Sequence, residues 1–273
     1  MRILNWNIHG ARGIGPSKQA AIVEAIVAVD PDVVLLQEVP LGSGFLERLA
    51  AQGYATTEPT RHPEGLWENR RKNAAAIAAR LPMIELAPPR DLRFPRLFSV
   101  ARIGDLEVAS CHIPNASGFN RVAKKLGLTP DIKVTHLDRA LEWLNLGGRR
   151  LLAGDFNEPD YFQGGRAIGF RASRPLDRDR QRTIVDGLMN SATIDHLCRG
   201  LHERDDEPSH WIKSGPHSVR KGWFDHALAN DQRTTWTATY LHELRIVRTE
   251  EGGERYSDRS PLLIVDARLE DGL

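Results

Sequence analysis

The sequence has few cysteines, almost no net charge and no long apolar run, and each absence excludes a class of protein. The 273 residues include two cysteines, Cys111 and Cys198, whose wide separation argues against a disulfide framework and against a zinc cluster. Thirty-seven Lys and Arg balance 36 Asp and Glu, so the formal charge of +1 creates no global basic field for nucleic acid. No apolar run approaches the roughly 20 residues that cross a bilayer. We therefore expect no contact with a membrane, and any polyanion must bind to a local patch.

The composition is that of a globular protein. Hydrophobic residues make up 41% and charged residues 27%, which allows a sizeable core and is unlike a disordered chain. The length fits one α/β or all-β domain, so we expect a single domain over 1–273 that acts as a monomer. Asn5 and Asn7 interrupt the N-terminal segment before the apolar core of a signal peptide could form, which favours the cytoplasm.

Short apolar runs alternate with segments of helical periodicity. Ser17 is a candidate N-cap for a helix that carries Ile22, Ile26 and Val29 on one face, and further helices are predicted over 45–49 and 134–144. The predicted strands cover 2–8, 33–36, 74–79, 97–103, 106–111, 151–153, 224–228, 234–247 and 262–269. A Gly-Asp pair at 104–105 predicts a hairpin. The pattern indicates a layered α/β fold with sheets inside and helices outside.

Six segments carry polar or acidic residues at or near the ends of predicted strands, where a purely structural sequence needs only a turn. They are ILNWNIHG (3–10), LLQEV (35–39), SCHIPN (110–115), LLAGDFNEPD (151–160), WFDHALA (223–229) and YSDRSPL (256–262). Each segment alone is a weak signal, because an Asp or Asn after a strand is more often a turn former or a helix cap.

Taken together and in this order, the segments resemble the endonuclease/exonuclease/phosphatase superfamily, which includes DNase I-like nucleases, abasic-site endonucleases, sphingomyelinases and inositol polyphosphate 5-phosphatases. The matching positions are Asn7, Glu38, His112, Asp155, Asn157, Asp225 and Asp258. The resemblance implies an α/β fold in which a two-sheet β-sandwich is flanked by helices in four layers, α/β/β/α, as in DNase I-like proteins. It also implies a metal-dependent hydrolase of phosphate esters, with the six segments converging at one edge of the sandwich.

The expected cofactor is Mg²⁺ or Mn²⁺. Hard cations take oxygen ligands, and Glu38 and Asp258 offer carboxylates while Asn7 adds an amide oxygen at the end of the first strand. The alternative is that Asn7 is satisfied within a turn and that Glu38 is a surface residue.

Asp155 and Asn157 lie two residues apart, so in an extended segment their side chains would point to the same face. The resemblance implies that they orient the attacking water and stabilise the pentavalent transition state. An Asx turn before Pro159 is the structural alternative.

Two further residues are candidate phosphate contacts. The imidazole of His112 can donate a hydrogen bond to a phosphate oxygen, although a buried structural histidine is the alternative. Asn115 matches an asparagine that contacts phosphate in the abasic-site endonucleases, and we assign it to substrate binding.

The sequence departs from the family at Arg259, where members usually end a Ser-Asp-His string with histidine. Arginine stays protonated, so it is no conventional general base, but it can stabilise a phosphorane or pair with Asp225. His9 would share a face with Asn7 if the first strand continued that far, and it is a supplementary candidate for acid or base. His226 neighbours Asp225 on a strand and should therefore lie on the opposite face, outside the site.

Nucleic acid is the leading substrate class. A phosphatase or phosphodiesterase of a small molecule or lipid headgroup is the alternative enzyme, because the fold and the core motif do not fix the substrate. A binding module that has lost turnover through Arg259 is the alternative outside enzymes.

Overall fold

A computed structural model describes residues 1–9, 15–59, 73–114, 132–160, 162–163, 166–167, 195–198, 210–215, 218–230, 234–244 and 260–267. The helices in these residues are α1 (Pro16–Val29), α2 (Phe45–Ala50) and α3 (Ile132–Asn145), with short 3₁₀ turns at Pro95–Leu97 and His242–Leu244. In chain order the strands are β1 (Arg2–Asn7), β2 (Val33–Pro40), β3 (Ala55–Thr56), β4 (Asn73–Ala79), β5 (Ile84–Leu86), β6 (Phe98–Ile103), β7 (Leu106–His112), β8 (Arg149–Asp160), β9 (Phe162–Gln163), β10 (Arg166–Ala167), β11 (Asp195–His196), β12 (His210–Gly215), β13 (Ser218–Ala229), β14 (Trp236–Tyr240) and β15 (Leu262–Asp266).

The strands form two large mixed sheets and a short β9–β10 ribbon. The first sheet has the order β14-β15-β1-β2-β4-β3, and the second has the order β11-β13-β8-β7-β6-β5 with β12 beside β13. Among the described strands each large sheet contains one parallel pair, β1–β2 in the first and β7–β8 in the second. The strands of a parallel pair end together, so each sheet presents two strand ends side by side at one edge.

The core has three layers of apolar contact. One cluster lies between the sheets and includes Ile3, Leu35, Ile77, Val108 and Leu151. A second packs α3 on the second sheet, and a third packs α1 and α2 on the first. Successive strand residues face opposite sides, so Ile3 contacts the other sheet while Leu4 contacts the helices. The predicted two-sheet sandwich flanked by helices is confirmed.

Most predicted elements are present, with three differences at their ends. Pro16 is the first residue of α1 and Gly15 precedes it without a side-chain cap, so the predicted N-cap role of Ser17 is wrong. Pro fits the first helical position because its missing N–H would have no partner there. Strand β8 extends far beyond the predicted 151–153, since β7 and β13 pair along both of its sides.

The strand predicted over 234–247 is shorter in the structure. Strand β14 ends at Tyr240, which pairs with Leu262 at the start of β15. The Leu241 N–H donates to the carbonyl of Pro261, which has no N–H with which to continue the ladder. The predicted hairpin is confirmed, because β6 and β7 join at Gly104 with φ +60°. Of the helices in the described residues, none has the length and apolarity needed to cross a bilayer.

Candidate active site

The candidate site lies where the central parallel pairs of both sheets end. Asn7 is the last residue of β1, and His112 at the end of β7 is aligned with Asp155 on β8. Asp225 on β13 lies directly opposite Asp155 on its other side. Aligned residues on neighbouring strands share a face, so His112, Asp155 and Asp225 point to the same side. The Asn7 Nδ2 atom donates to Asp155 Oδ2 over 2.9 Å, which joins the first sheet to the second.

A β-bulge brings Glu38 into this group. The pairing of β2 with β4 shifts between Leu36 and Val39, which places one extra residue on β2. Glu38 sits in the bulge with φ +56°, in the left-handed region that a non-glycine residue adopts at a cost of about 1 kcal/mol. Its Oε1 atom lies 3.5 Å from Asn7 Nδ2. The bulge therefore interrupts the regular alternation of β2 and brings the Glu38 side chain to Asn7, which also contacts Asp155.

The carboxylate of Asp155 is fully buried and held at both oxygens. Oδ2 accepts from Asn7, and Oδ1 accepts the backbone N–H of Asn157 over 2.9 Å. The second contact is the hydrogen bond of an Asx turn, and Asn157 has φ +49°. Asn157 is therefore not extended, so the condition under which its side chain and that of Asp155 were expected to share a face is not met.

Asn157 is fixed by three groups. Its N–H donates to Asp155, its Nδ2 donates to the carbonyl of Ile113 over 2.8 Å, and its carbonyl accepts from Lys133 Nζ over 2.7 Å. Lys133 is 5% exposed on α3. The sequence did not single out this lysine, since a lysine on a helix is usually a surface residue.

Asn7 faces the acidic residues through its amide nitrogen. Its Oδ1 atom accepts the N–H of His9 over 2.9 Å, while Nδ2 faces Glu38 and Asp155. As placed, Asn7 orients the two carboxylates. The condition under which His9 would share a face with Asn7 is not met, because β1 ends at Asn7 and His9 has φ +51°.

His226 and Asp225 occupy successive positions of β13, so their side chains leave opposite faces. His226 is nevertheless buried, with its ring 5.2 Å from that of Phe156. It belongs to the packing behind the second sheet.

Three groups are close enough to share a cation. Ligand atoms of Glu38, His112 and Asp155 all lie within 4.8 Å of one another, and His112 Nε2 is 3.9 Å from Asp155 Oδ2. The buried Nδ1 atom of His112 has no hydrogen-bond partner among the described residues. Two carboxylates and an imidazole suit Mn²⁺ or a Mg²⁺ ion that keeps several waters. Of the three predicted ligands, Glu38 and Asn7 lie at this group, whereas Asp258 lies outside the described residues, as do Asn115 and Arg259.

A buried polar layer supports the site from within the sandwich. Gln37 Nε2 donates to Asn5 Oδ1 and to Ser110 Oγ, each over 2.9 Å, and Ser110 Oγ donates to the Leu36 carbonyl. All three side chains are fully buried. The network links β1, β2 and β7 two positions before Asn7 and His112, so it fixes how the two sheets meet beneath them. Asn5, Gln37 and Ser110 all lie in the six segments, but the sequence gives no indication that they bond to one another.

Burial also sets the protonation of two neighbouring groups. Burial lowers the pKa of His136 on α3, although the contact of its Nδ1 with the Ile132 carbonyl, 2.9 Å away, acts in the opposite direction. Burial raises the pKa of the Cys111 thiol well above its usual value, and the charge of Asp155 adds to the effect. The imidazole is therefore neutral at pH 7 and the thiol is protonated.

The fold and the site define a four-layer sandwich with a carboxylate-rich centre at one edge. The model of the Endonuclease/Exonuclease/phosphatase family matches residues 4–258, and the chain belongs to this family. No curated protein matches the sequence.

Solved structures share the fold at low identity. An AP endonuclease from Archaeoglobus fulgidus is 15% identical with a TM-score of 0.65, covering 97% of this chain and 99% of its own. A 3' phosphatase, NExo, from Neisseria bound to product DNA hairpin is 15% identical with a TM-score of 0.68 and the same coverage. D. rerio TDP2 complexed with single strand DNA product is 15% identical with a TM-score of 0.54, covering 97% of each chain.

Proposed function

We propose that the protein is a divalent-metal-dependent hydrolase of phosphodiester bonds in nucleic acid. The observation that carries the proposal is the junction of the sheets, where Asn7 bridges to Asp155 and where Glu38, His112 and Asp155 have ligand atoms within 4.8 Å. The carboxylate of Asp155 is fully buried beside the half-buried Glu38, and a buried charge is costly unless donors or a cation accompany it. A site of this kind in a protein of this family suits phosphate chemistry.

The metal would be held by Glu38 with His112 or Asp155, and Asp258 is the further ligand that the sequence offers. Bound there, it would polarise the phosphoryl group and neutralise developing charge. Asn7 keeps both carboxylates in place through its amide nitrogen.

Asp155 is the residue we assign to orienting the attacking water. Both of its oxygens are held by donors, so the direction of the carboxylate is fixed before substrate binds. Asn157 is fixed in turn by Ile113 and Lys133, and we assign it to the phosphate oxygens. The side chain of His112 is 12% exposed, so it can reach a phosphate and donate to it.

The roles of two residues, Arg259 and Asn115, rest on the sequence alone. Arg259 would stabilise the phosphorane and pair with Asp225, and Asn115 would contact the substrate phosphate. Asp225 lies opposite Asp155, so a guanidinium paired with Asp225 would lie beside the residue that we assign to orienting the water.

Nucleic acid is the preferred substrate because the structural neighbours include an AP endonuclease and proteins bound to a DNA hairpin or single-strand DNA product. At 15% identity the structural likeness to these proteins shows the fold alone, so the substrate class is part of our proposal.

The test is hydrolysis of bis-p-nitrophenyl phosphate, abasic duplex DNA, single-stranded DNA, inositol phosphates and a phosphodiester lipid headgroup, each with Mg²⁺, Mn²⁺ or EDTA. We expect metal-dependent cleavage of DNA, abolished by Asp155→Asn and retained by Asp138→Asn, an acidic residue on α3 as matched control. Cleavage of only a small ester or headgroup would reassign the substrate. Metal and phosphate binding without any turnover would favour the binding module.

A further inference from the structure

The phenol of Tyr240 joins the two large sheets at a point close to the candidate site. This residue ends β14 in the first sheet, and its buried side chain lies in the apolar cluster between the sheets. The hydroxyl donates to the backbone carbonyl of Asp225 on β13 over 2.6 Å. Asn7 makes a similar link to Asp155, so each of the two opposed aspartates accepts a hydrogen bond from the first sheet.

The bond from Tyr240 holds the backbone of Asp225 on the side away from β8. Carbonyls two residues apart on a strand point to the same side, and the Ala227 carbonyl accepts the N–H of Leu197, which follows β11. The carbonyl of Asp225 therefore also points away from β8, and there it meets the phenol. The pairing of β13 with β8 shifts just before Asp225. A buried carbonyl needs a donor, so the phenol fixes this backbone where the pairing is irregular.

Strand pairing places Ser260 at the same edge of the first sheet as Asn7. Tyr240 pairs with Leu262 on β15, and Leu262 pairs with Asn5 on β1. Strand β15 runs antiparallel to β1, so a step of two residues toward the site leads from Asn5 to Asn7 and from Leu262 back to Ser260. Ser260 is 1% exposed. It is therefore a buried residue at the edge where the candidate site lies.

A half-buried histidine connects Tyr240 to Ser260. The Nδ1 atom of His242 lies 2.8 Å from Ser260 Oγ, and the ring of His242 stacks on that of Tyr240 with centroids 5.7 Å apart. Arg259 directly precedes Ser260 in the chain. The phenol thus holds the backbone of Asp225, and the imidazole holds the residue that follows Arg259.

We propose that Tyr240 and His242 are positioning residues, which hold the Asp225 carboxylate and Arg259 in place to pair with each other. This inference rests on the proposed function, in which Arg259 pairs with Asp225 and stabilises the phosphorane. A guanidinium meets a carboxylate through two parallel hydrogen bonds, so the pair tolerates little displacement. A displacement of about 1 Å can lower a rate by as much as 10². In this role neither residue touches the reacting atoms, so loss of either bond should lower kcat without abolishing it.

The test uses Tyr240→Phe, which keeps the ring and removes only the hydroxyl. Tyr54→Phe is the matched control, because the buried Tyr54 hydroxyl also donates to a backbone carbonyl, that of Pro31 over 3.1 Å. Pro31 precedes β2 at the end opposite Glu38. Hydrolysis of bis-p-nitrophenyl phosphate is measured with saturating Mn²⁺. Binding of orthovanadate, a mimic of the pentavalent transition state, is measured with Mn²⁺ by isothermal titration calorimetry.

Tyr240→Phe should lower kcat about three- to tenfold with KM unchanged, on the scale of one hydrogen bond, and should weaken vanadate binding by the same factor. Both phenylalanine variants should lower the melting temperature by about 2–4 °C, because each leaves a buried carbonyl without its donor. Tyr54→Phe should not change kcat. When Tyr240→Phe is added to Asp225→Asn, the melting temperature should fall again but kcat should not, because the carboxylate that the phenol positions is already gone.

His242→Phe tests the other contact of the pair. Phenylalanine keeps the ring that stacks on Tyr240 and removes the bond to Ser260. We expect His242→Phe to lower kcat about three- to tenfold in the wild type, because Ser260 then holds Arg259 less firmly. It should have no effect on kcat in Arg259→Ala, where no guanidinium is left to position.

An unchanged kcat in Tyr240→Phe, with the same fall in melting temperature as in Tyr54→Phe, would overturn the inference and leave Tyr240 a structural link. Equal losses of kcat in the wild type and in Asp225→Asn would also overturn it, as would equal effects of His242→Phe in the wild type and in Arg259→Ala.

Vanadate binding separates the inference from the proposed function. If the wild type hydrolyses no phosphodiester, the proposed function fails. A loss of vanadate affinity in Tyr240→Phe that is absent in Asp225→Asn would still support the inference, and equal affinities of Tyr240→Phe and the wild type would overturn it. A wild type that neither hydrolyses the ester nor binds vanadate would contradict both.

Discussion

Asp155 and Asp225 lie directly opposite each other on the antiparallel strands β8 and β13, with 0% and 1% of their surfaces exposed. Opposed side chains on one sheet face lie about 5 Å apart, and like charges in such positions repel each other. A core at this position would normally hold apolar residues, as it does two pairs further on at Ala153 and Ala227. Two acidic side chains therefore replace apolar ones at this pair, which fits the active site that we propose at this edge.

The first prediction follows from this pairing. Asp155→Asn should lower kcat by about 10² to 10⁴ while KM for DNA changes little, because a group that orients water acts in the transition state. In asparagine an NH2 group replaces one of the two oxygens that accept from Asn7 and Asn157, so one of these donors would face another donor. If Asp225 acts in the same step, Asp155→Asn combined with Asp225→Asn should be no slower than Asp155→Asn alone. A raised KM with unchanged kcat would make Asp155 a binding residue.

The second prediction concerns the metal. Glu38→Gln should weaken Mn²⁺ binding at least tenfold, because the amide keeps the shape of the bulge and removes the charge. Isothermal titration calorimetry measures this affinity without substrate. Glu47→Gln, an exposed position on α2, is the control and should bind as the wild type does. Equal affinities in Glu38→Gln and the wild type would remove Glu38 from the metal site.

The third prediction tests the contact between β7 and β8. A Cβ atom at Gly154 would lie 1.8 Å from the Cys111 carbonyl oxygen, so Gly154→Ala must move a backbone. The next aligned pair is His112 and Asp155, and the change should lower both stability, by about 3 kcal/mol, and activity. Gly147→Ala is the control, because its Cβ meets nothing within 4 Å and stability should shift by less than about 0.5 kcal/mol. Urea denaturation of both variants measures the difference.

The sequence predicted the edge at which the site lies because that edge depends on strand ends. Asn7, His112 and Asp155 come at the ends of apolar runs, and pairing of those runs brings them together whatever the details of the loops. The six segments and their order indicated the family, and the family resemblance implied the two-sheet sandwich. These features depend on patterns that are local in the chain.

The contacts that complete the site could not be predicted in this way. The bulge at Glu38 depends on how β2 pairs with β4, and the turn at Asn157 depends on acceptors and donors from β7 and α3. Lys133 and Arg96 have the residue types of a surface, and only packing between distant segments buries them. Strand alternation failed at Asn157 and at His9 for the same reason, because both have a left-handed backbone.

The fourth prediction is a pH dependence of stability. Burial lowers the pKa of His136 below its ordinary value near 6.5, and this effect outweighs the backbone hydrogen bonds that act in the opposite direction. The unfolded chain therefore binds a proton at a higher pH than the folded chain does. The contribution of His136 is fully present above pH 6.5, and it is lost as the pH falls from there toward the pKa of the folded state. Melting temperatures between pH 8 and 5 should decline less in His136→Asn than in the wild type, and parallel declines would contradict the assignment.

The last prediction concerns Arg259, where the sequence departs from its family. If the guanidinium stabilises the phosphorane, Arg259→Ala should lower turnover by about 10², the scale of losing one oxyanion donor. Arginine remains charged throughout the accessible pH range, so residue 259 should cause no rise or fall in the wild-type rate as the pH changes. Arg259→His should introduce a limb near neutrality, because an imidazole titrates near 6.5 and acts as acid or base in only one form. Rates measured from pH 5 to 9 with saturating Mn²⁺ separate the two cases. Arg259→Lys is the control, since it keeps the charge without a titration in this range and loses only the paired hydrogen bonds. If alanine and histidine both leave the rate and its pH profile unchanged, residue 259 takes no part in the reaction.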